Sequence, residues 1–343
     1  MACVLTAACL AAWLGHRWIA LGWNAWRYPV AAAHDRTQIA VAGNLAYLAA
    51  GVDGIDILDL TRGQRIARIA PQAPADRIDD VAVAEGRLLA LDATPPGHLQ
   101  AYALGQPQHP RLLAHAAVPV GPFSGVSTAA GLVAVSGGTA QLTLREIDAS
   151  GQLGTTVATA DFGRGQPDIA LRADGRFAAI STHRVGPNFA LTLVAIDRSP
   201  LRLRAVGRVD LADAGFTEGG FKPAHFPLVA VWDRNCLYVA DGGGLHVIDA
   251  TDPHHPRLLT YDRRALPAID VARSHDALYV LRAGTRPALL RYRLDRLGQP
   301  TFTGQRPLPV DTPPAAFAAN HEQVLITQRS GGWILLPVAS LMP

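Results

Sequence analysis

An all-β fold built from seven copies of one four-stranded antiparallel unit, preceded by a hydrophobic helix, is what this sequence predicts. Two observations carry the prediction: a strand–turn motif that recurs along nearly the whole chain, and a spacing in the forties between its copies. The clearest copy is Asn235–Asp262, NCLYVADGGGLHVIDATDPHHPRLLTYD. It reads as a strand (Leu237–Ala240), a glycine turn, a strand (Leu245–Asp249), a proline turn and a strand (Arg257–Tyr261). Apolar residues alternate or run through each strand, and Asp-Gly and Asp-Pro pairs close the turns. Such a meander cannot bury both of its faces alone, so it needs neighbours of the same kind.

The neighbours are present. Asn44–Ala50 is followed by a Gly turn and Ile55–Leu60, and Arg87–Asp92 by a Pro-Gly turn and Leu99–Leu104. Residues 106–113, QPQHPRLL, nearly copy residues 252–259, DPHHPRLL, and Ala277–Arg282 matches Cys236–Asp241. Weaker copies are Gly131–Ser136, Arg176–Ser181 and Gln323–Gln328. The strand ends of the seven units are Ala50, Asp92, Ser136, Ser181, Asp241, Arg282 and Gln328, at intervals of 42, 44, 45, 60, 41 and 46 residues. A period in the forties with four short strands per unit is the signature of a β-propeller. Helical repeats share that length, but no unit here has a 3.6-residue periodicity.

The pattern Asp-Val-Ala-Val, Gly or Asn, Leu-Tyr-Val-Ala-Asp, Gly-Leu-x-Val-Ile-Asp, Asp-Pro-x-x-Pro-x-Leu resembles the LVIVD-repeat family of β-propellers. The resemblance covers roughly Val30 to Val338 and is strongest at 228–262; units three, four and seven depart from the pattern and rest on spacing. It implies the propeller fold and frequent export to the cell surface or periplasm. It implies no single activity, because one fold hosts many functions.

Repeats this continuous across 343 residues argue for one toroid, 27–343, with an N-terminal extension, 1–26. Hydrophobic residues at 49% and charged residues at 17% suit a large β core. Burying each Val or Leu contributes about 1.5–3 kcal/mol, so packing between blades should dominate stability. The net charge is +3, and the basic residues are scattered arginines with one lysine, Lys222. A nucleic-acid surface is therefore not indicated. Cys3, Cys9 and Cys236 form no CxxC or Cys/His array, which argues against zinc and redox chemistry. Cys236 opens a core strand, where burial keeps a thiol inert.

Residues 1–26, MACVLTAACLAAWLGHRWIALGWNAW, are far more apolar than the rest and lack a period of two. They suit a signal peptide with Ala31–Ala33 as an A-x-A-like cleavage site, an uncleaved anchor of bilayer-spanning length, or a helix packed on the propeller. A basic n-region is missing and His16-Arg17 interrupts the run. Export or membrane association is the expectation. The last unit, Ala315–Val338, has room for three strands, so an N-terminal strand near Arg27–Ala33 is expected to complete its blade and remove the open edge.

With strands A to D running from the axis outwards, the A–B and C–D turns share one face, and the B–C turns and D–A crossovers share the other. Length variation falls on the second face. The interval of 60 exceeds its siblings by about fifteen residues, well beyond an ordinary connection. Part lies in the fourth B–C turn, Thr182–Phe189, and part in the crossover Leu211–Pro227. Long loops on a rigid scaffold are where function concentrates. The crossover holds Glu218, Phe221, Lys222, His225 and Phe226, and the neighbouring turn holds His183 and Arg184. Aromatics for stacking and cations for an anion would make a ligand-binding rim; the same residues would also serve as a plug of the channel mouth.

Asp92, Asp241, Arg282 and Gln328 fall at equivalent strand ends. Carboxylates around a channel can hold Ca²⁺, which takes several oxygen ligands, although no cofactor is otherwise implied. Asp80, Asp168 and Asp270 form a second set, each 12 or 13 residues before its strand end, where repetition points to backbone hydrogen bonding. His109, His254 and His255 read as solvated turn residues. Trp232-Asp233 falls at an A–B turn and so is no WD signature. Gly242–Gly244 precedes a strand, so no helix N-terminus is there to hold phosphate. The leading expectation is a non-enzymatic binding or scaffold module whose partner is an envelope protein or glycan at the upper face of blades four and five. The alternative is a propeller hydrolase or lactonase with a metal or polar site at the channel mouth.

Overall fold

The computed structural model describes residues 38–72, 77–120, 124–137, 141–162, 169–183, 189–211, 229–241, 243–309, 314–328 and 332–341. These form seven antiparallel sheets in chain order, six of four strands, A-B-C-D, and one of three described strands, A-B-C. The inner strands lie beside one another in sequence order, and the inner strand of blade seven (Pro314–Ala319) lies against that of blade one (Ile39–Ala42). The ring is therefore closed, as a seven-bladed β-propeller. All seven predicted strand ends fall at or beside the end of a strand B. Asp92, Asp241, Arg282 and Gln328 are its last residue, Ala50 follows it, and Ser136 and Ser181 lie just inside it. The expected helix over 1–26 and the closing strand near 27–33 lie outside the described residues. Among the described residues, no helix is long and apolar enough to cross a membrane.

The apolar runs of the B strands follow from their position. A strand turns successive side chains to opposite faces, and each blade is covered on both faces by its neighbours. In blade five, Tyr238 and Ala240 pack into a cluster with blade six, while Leu237 and Val239 pack into one with blade four. Seven such clusters occur, one at each joint around the ring. The joint that closes the circle sets Trp333, Leu325 and Leu335 of blade seven against Ala46, Leu48, Leu58 and Leu60 of blade one. Asn320 Nδ2 also donates to Gly43 O across it at 3.0 Å.

Polar clasps reinforce these joints. Asp80 Oδ1 accepts from the Val81 N–H at 2.8 Å, and its Oδ2 accepts from Val126 of the next blade at 2.7 Å. Asp270 repeats the arrangement with Val271 at 2.8 Å and Phe317 at 2.7 Å. Both follow a bulge in the A–B pairing, which aims the carboxylate at the neighbour. The repeated aspartates are thus backbone acceptors, as expected; Asp168 lies outside the described residues. Trp232, at the end of strand A of blade five, donates through Nε1 to Ala170 O of blade four at 3.0 Å. Tyr238 donates to Gly298 O at 2.7 Å, tying blade five to the C–D turn of blade six. Each of the six described D strands is shifted in register against its strand C. Bulges of this kind blunt an outer edge against pairing with another chain.

Candidate functional site

The B–C and D–A connections share one face of the ring, and blade four stands out on it. Its strand B (Phe177–His183) and strand C (Phe189–Arg198) continue past the Ser181–Leu191 pair with two more rungs, Thr182–Ala190 and His183–Phe189. In blades two, five and six the pairing stops at the equivalent strand end, Asp92, Asp241 and Arg282. Two extra residues carry the hairpin about 7 Å further out than its siblings. Residues 182, 183 and 189, expected in a turn, are therefore paired strand. Strand D (Leu201–Asp210) pairs with strand C from Arg198 to Ala190 and is followed by Leu211, which is buried. Arg184, Glu218, Phe221, Lys222, His225 and Phe226 lie outside the described residues; His183 is placed by its backbone, at the last rung of the hairpin.

Beside that hairpin, the B–C turn of blade five is organised by Asp241. Its Oδ1 accepts from the N–H groups of Gly243 at 2.8 Å and Gly244 at 3.1 Å, and lies 3.0 Å from His246 Nε2. A side chain at Gly244 is impossible, since its Cβ would fall 2.5 Å from Asp262 O at φ +137°. The His246 ring stacks on Tyr261, with centroids 4.7 Å apart, and the Tyr261 hydroxyl donates to Gly243 O. Burial, and then the charge of Asp241, push the Tyr261 hydroxyl pKa up, so it stays a donor. Asp241 and His246 are almost fully buried. Asp241 Oδ2 and His246 Nδ1 find no partner among the described residues. The pair leaves one acceptor and one ring nitrogen without a partner among the described residues, on the face from which the hairpin projects.

Blade two carries a looser version. Asp92 Oδ1 accepts from Thr94 N–H at 2.8 Å and Arg77 N–H at 3.3 Å, while Oδ2 lies 3.9 Å from His98 Nδ1. His98 in turn stacks on His115 at 4.5 Å. Beside it, burial raises the Asp79 pKa even though Arg77 pairs with it at 2.7 Å. Arg282 uses its guanidinium on main-chain carbonyls, Arg264 O at 2.9 Å and Arg286 O at 3.2 and 3.3 Å. It joins the crossover after blade five to its own B–C turn. Asp92, Asp241 and Arg282 thus each engage the connections of their own region. Among the described residues, no three His, Cys, Asp or Glu side chains converge on one point. On the opposite face, His255 Nδ1 sits 2.8 Å from Asp252 Oδ2 in an exposed turn, as its sequence position implies.

His246 and Tyr261 escaped the sequence reading, yet a signal for His246 exists. It interrupts an apolar strand C opposite Val239, two residues before the strand end. Asp56 and Gln100 occupy the same register position, opposite Leu48 and Ala90, and are fully buried. Each has its own partner: Arg68 grips Asp56 with Nε at 2.6 Å and Nη2 at 3.0 Å, and Tyr102 donates to Gln100 Oε1 at 2.6 Å.

Among solved structures, a chain in the crystal structure of the mitotic checkpoint complex is similar, with a TM-score of 0.64 and 11% identity. The likeness covers 91% of this chain and 93% of that one, and at this identity it is a likeness of fold. No curated protein matches the chain significantly. The LVIVD repeat matches residues 35–61 and 230–261, the first unit and the one with the clearest motif. Together with the seven closed blades, these matches describe a β-propeller that carries LVIVD repeats in blades one and five.

Proposed function

We propose that this propeller is a binding or scaffold module, exported or membrane-tethered through residues 1–26, that docks an envelope protein or glycan on the upper face of blades four and five. The observation that carries the reading is the blade-four hairpin, whose two additional rungs project beyond the level at which the equivalent strands end. Strand pairing supports such a projection on a rigid base, and loops so supported are the usual place for recognition. The buried Asp241–His246 pair lies beneath the adjoining turn and fixes its shape. Glu218, Phe221, Lys222, His225 and Phe226 join the proposal on sequence grounds: one lysine beside histidine and two phenylalanines suits an anionic or aromatic partner.

The test is affinity capture from the native envelope with three baits. These are the wild type, a variant in which residues 182–190 are cut back to the length of the blade-six turn, and Lys222→Ala with His225→Ala. The expected result is a saturable partner that the wild type retains and both variants lose, with unfolding midpoints unchanged. Equal recovery by all three baits refutes the reading.

A further inference from the structure

The opposite face of blade four carries a second site, independent of the hairpin. Its A–B turn and C–D turn flank an open surface cleft of about 490 Å³ whose charged side chains are exposed. Arg176, Arg198 and Arg202 line it, with Asp197 as the single carboxylate on the wall. Three guanidinium groups against one carboxylate leave the cleft cationic.

The short turn leaves Asp197 and two of the arginines, Arg176 and Arg202, without side-chain hydrogen bonds among the described residues, although the charge of Arg176 also acts on Asp174. Strand C of blade four passes to strand D through Ser199-Pro200 alone, since Arg198 already pairs with Leu201. In blades three and six the residue after the same backbone bond is also aspartate. The Ile147, Ile196 and Leu294 N–H groups each donate to the neighbouring A–B turn, and Asp148, Asp197 and Asp295 follow them. Asp148 accepts from the Ser150 hydroxyl and the Gln152 N–H, and Asp295 from the N–H groups of Leu297 and Gln299. Blade four has no such turn residues, and Pro200 has no N–H to give. Asp197 accepts no hydrogen bond among the described residues, and the guanidinium groups of Arg176 and Arg202 make neither hydrogen bond nor ion pair there.

Part of the cleft is also built to position a cation. Arg198 Nη2 donates to Ala130 O of blade three at 2.6 Å, crossing Gly175 so closely that a Cβ there would fall 2.5 Å from it. At the same turn Asp174 is gripped by Arg172, at 2.6 and 3.0 Å, so its carboxylate is already engaged.

We infer that this cleft binds an acidic sugar. Guanidinium forks match the oxygens of a carboxylate or phosphate, Asp197 accepts from hydroxyl groups, and a hydroxylated anion supplies both. None of the lining residues is aromatic, which removes the stacking platform that a nucleobase uses.

The experiment is isothermal titration calorimetry on the full chain at low ionic strength with glucuronate, glucose 6-phosphate, inorganic phosphate and glucose. Both acidic sugars are expected to bind saturably and one to one, more tightly than phosphate or glucose. The tighter of the two identifies the oxyanion as carboxylate or phosphate. Arg202→Ala should weaken binding about tenfold, the effect of one lost charged hydrogen bond, and adding Arg176→Ala should weaken it further. Asp197→Asn should erase the advantage of the acidic sugars over inorganic phosphate. No saturable binding of either acidic sugar, equal binding of glucose, or full affinity in a folded Arg202→Ala variant overturns the inference. Shortening the blade-four hairpin lies on the other face and should leave this binding unchanged, so the two proposals fail separately.

Discussion

Replacing Asp270 by alanine tests how the blades are held together. The carboxylate is 8% exposed and satisfies two main-chain N–H groups, Val271 of its own blade at 2.8 Å and Phe317 of the next at 2.7 Å. Alanine keeps the backbone but leaves both donors without that acceptor at a joint lined by Ile269, Tyr279, Leu281 and Phe317. A buried donor stripped of its partner costs about 1–3 kcal/mol, so the pair predicts a loss of about 2–6 kcal/mol. Asp270→Asn retains one acceptor oxygen and should fall between alanine and wild type. The assay is guanidinium chloride unfolding followed by tryptophan fluorescence, read as the change in midpoint at constant slope. Asp252→Ala, in an exposed turn, is the control and should stay within about 0.5 kcal/mol. An Asp270→Ala loss no larger than that of the control would refute the view that the repeated aspartates clasp neighbouring blades.

Two further outcomes follow from other joints. Burial raises the Asp79 pKa in the folded protein, outweighing Arg77 beside it. The stability it contributes is therefore present below the ordinary carboxylate pKa and lost as pH rises through the raised value. Asp79→Asn should accordingly equal or exceed the wild type in melting temperature at pH 7 and lose that advantage in acid; a variant less stable at pH 7 contradicts the assignment. Trp333→Ala should cost about 3–5 kcal/mol, because it empties the joint between blades seven and one. Limited proteolysis should then cut first at that seam, and initial cleavage elsewhere would count against it as the closing contact.

The sequence by itself determined the number of blades and the strand order, because turn chemistry and apolar runs are local and recur at a fixed spacing. Asn235–Asp262 reads as three strands and two turns without any partner, and its pairing follows that reading. The repeated aspartates could likewise be read as backbone acceptors from position alone, although not which backbone they would meet. Tertiary structure decided that Asp80 reaches Val126 and Asp270 reaches Phe317, about 46 residues on. It also divided the surplus length near blade four, pairing Thr182 and His183 with Ala190 and Phe189 where composition suggested an open turn. His246 and Tyr261 stack only because strands C and D pair side by side in register. Arg176 and Arg202 line one cleft only because a two-residue turn brings strand D back beside the A–B turn. Period and turn type depend on neighbours a few residues away, whereas a binding surface depends on which distant side chains the closed ring sets side by side.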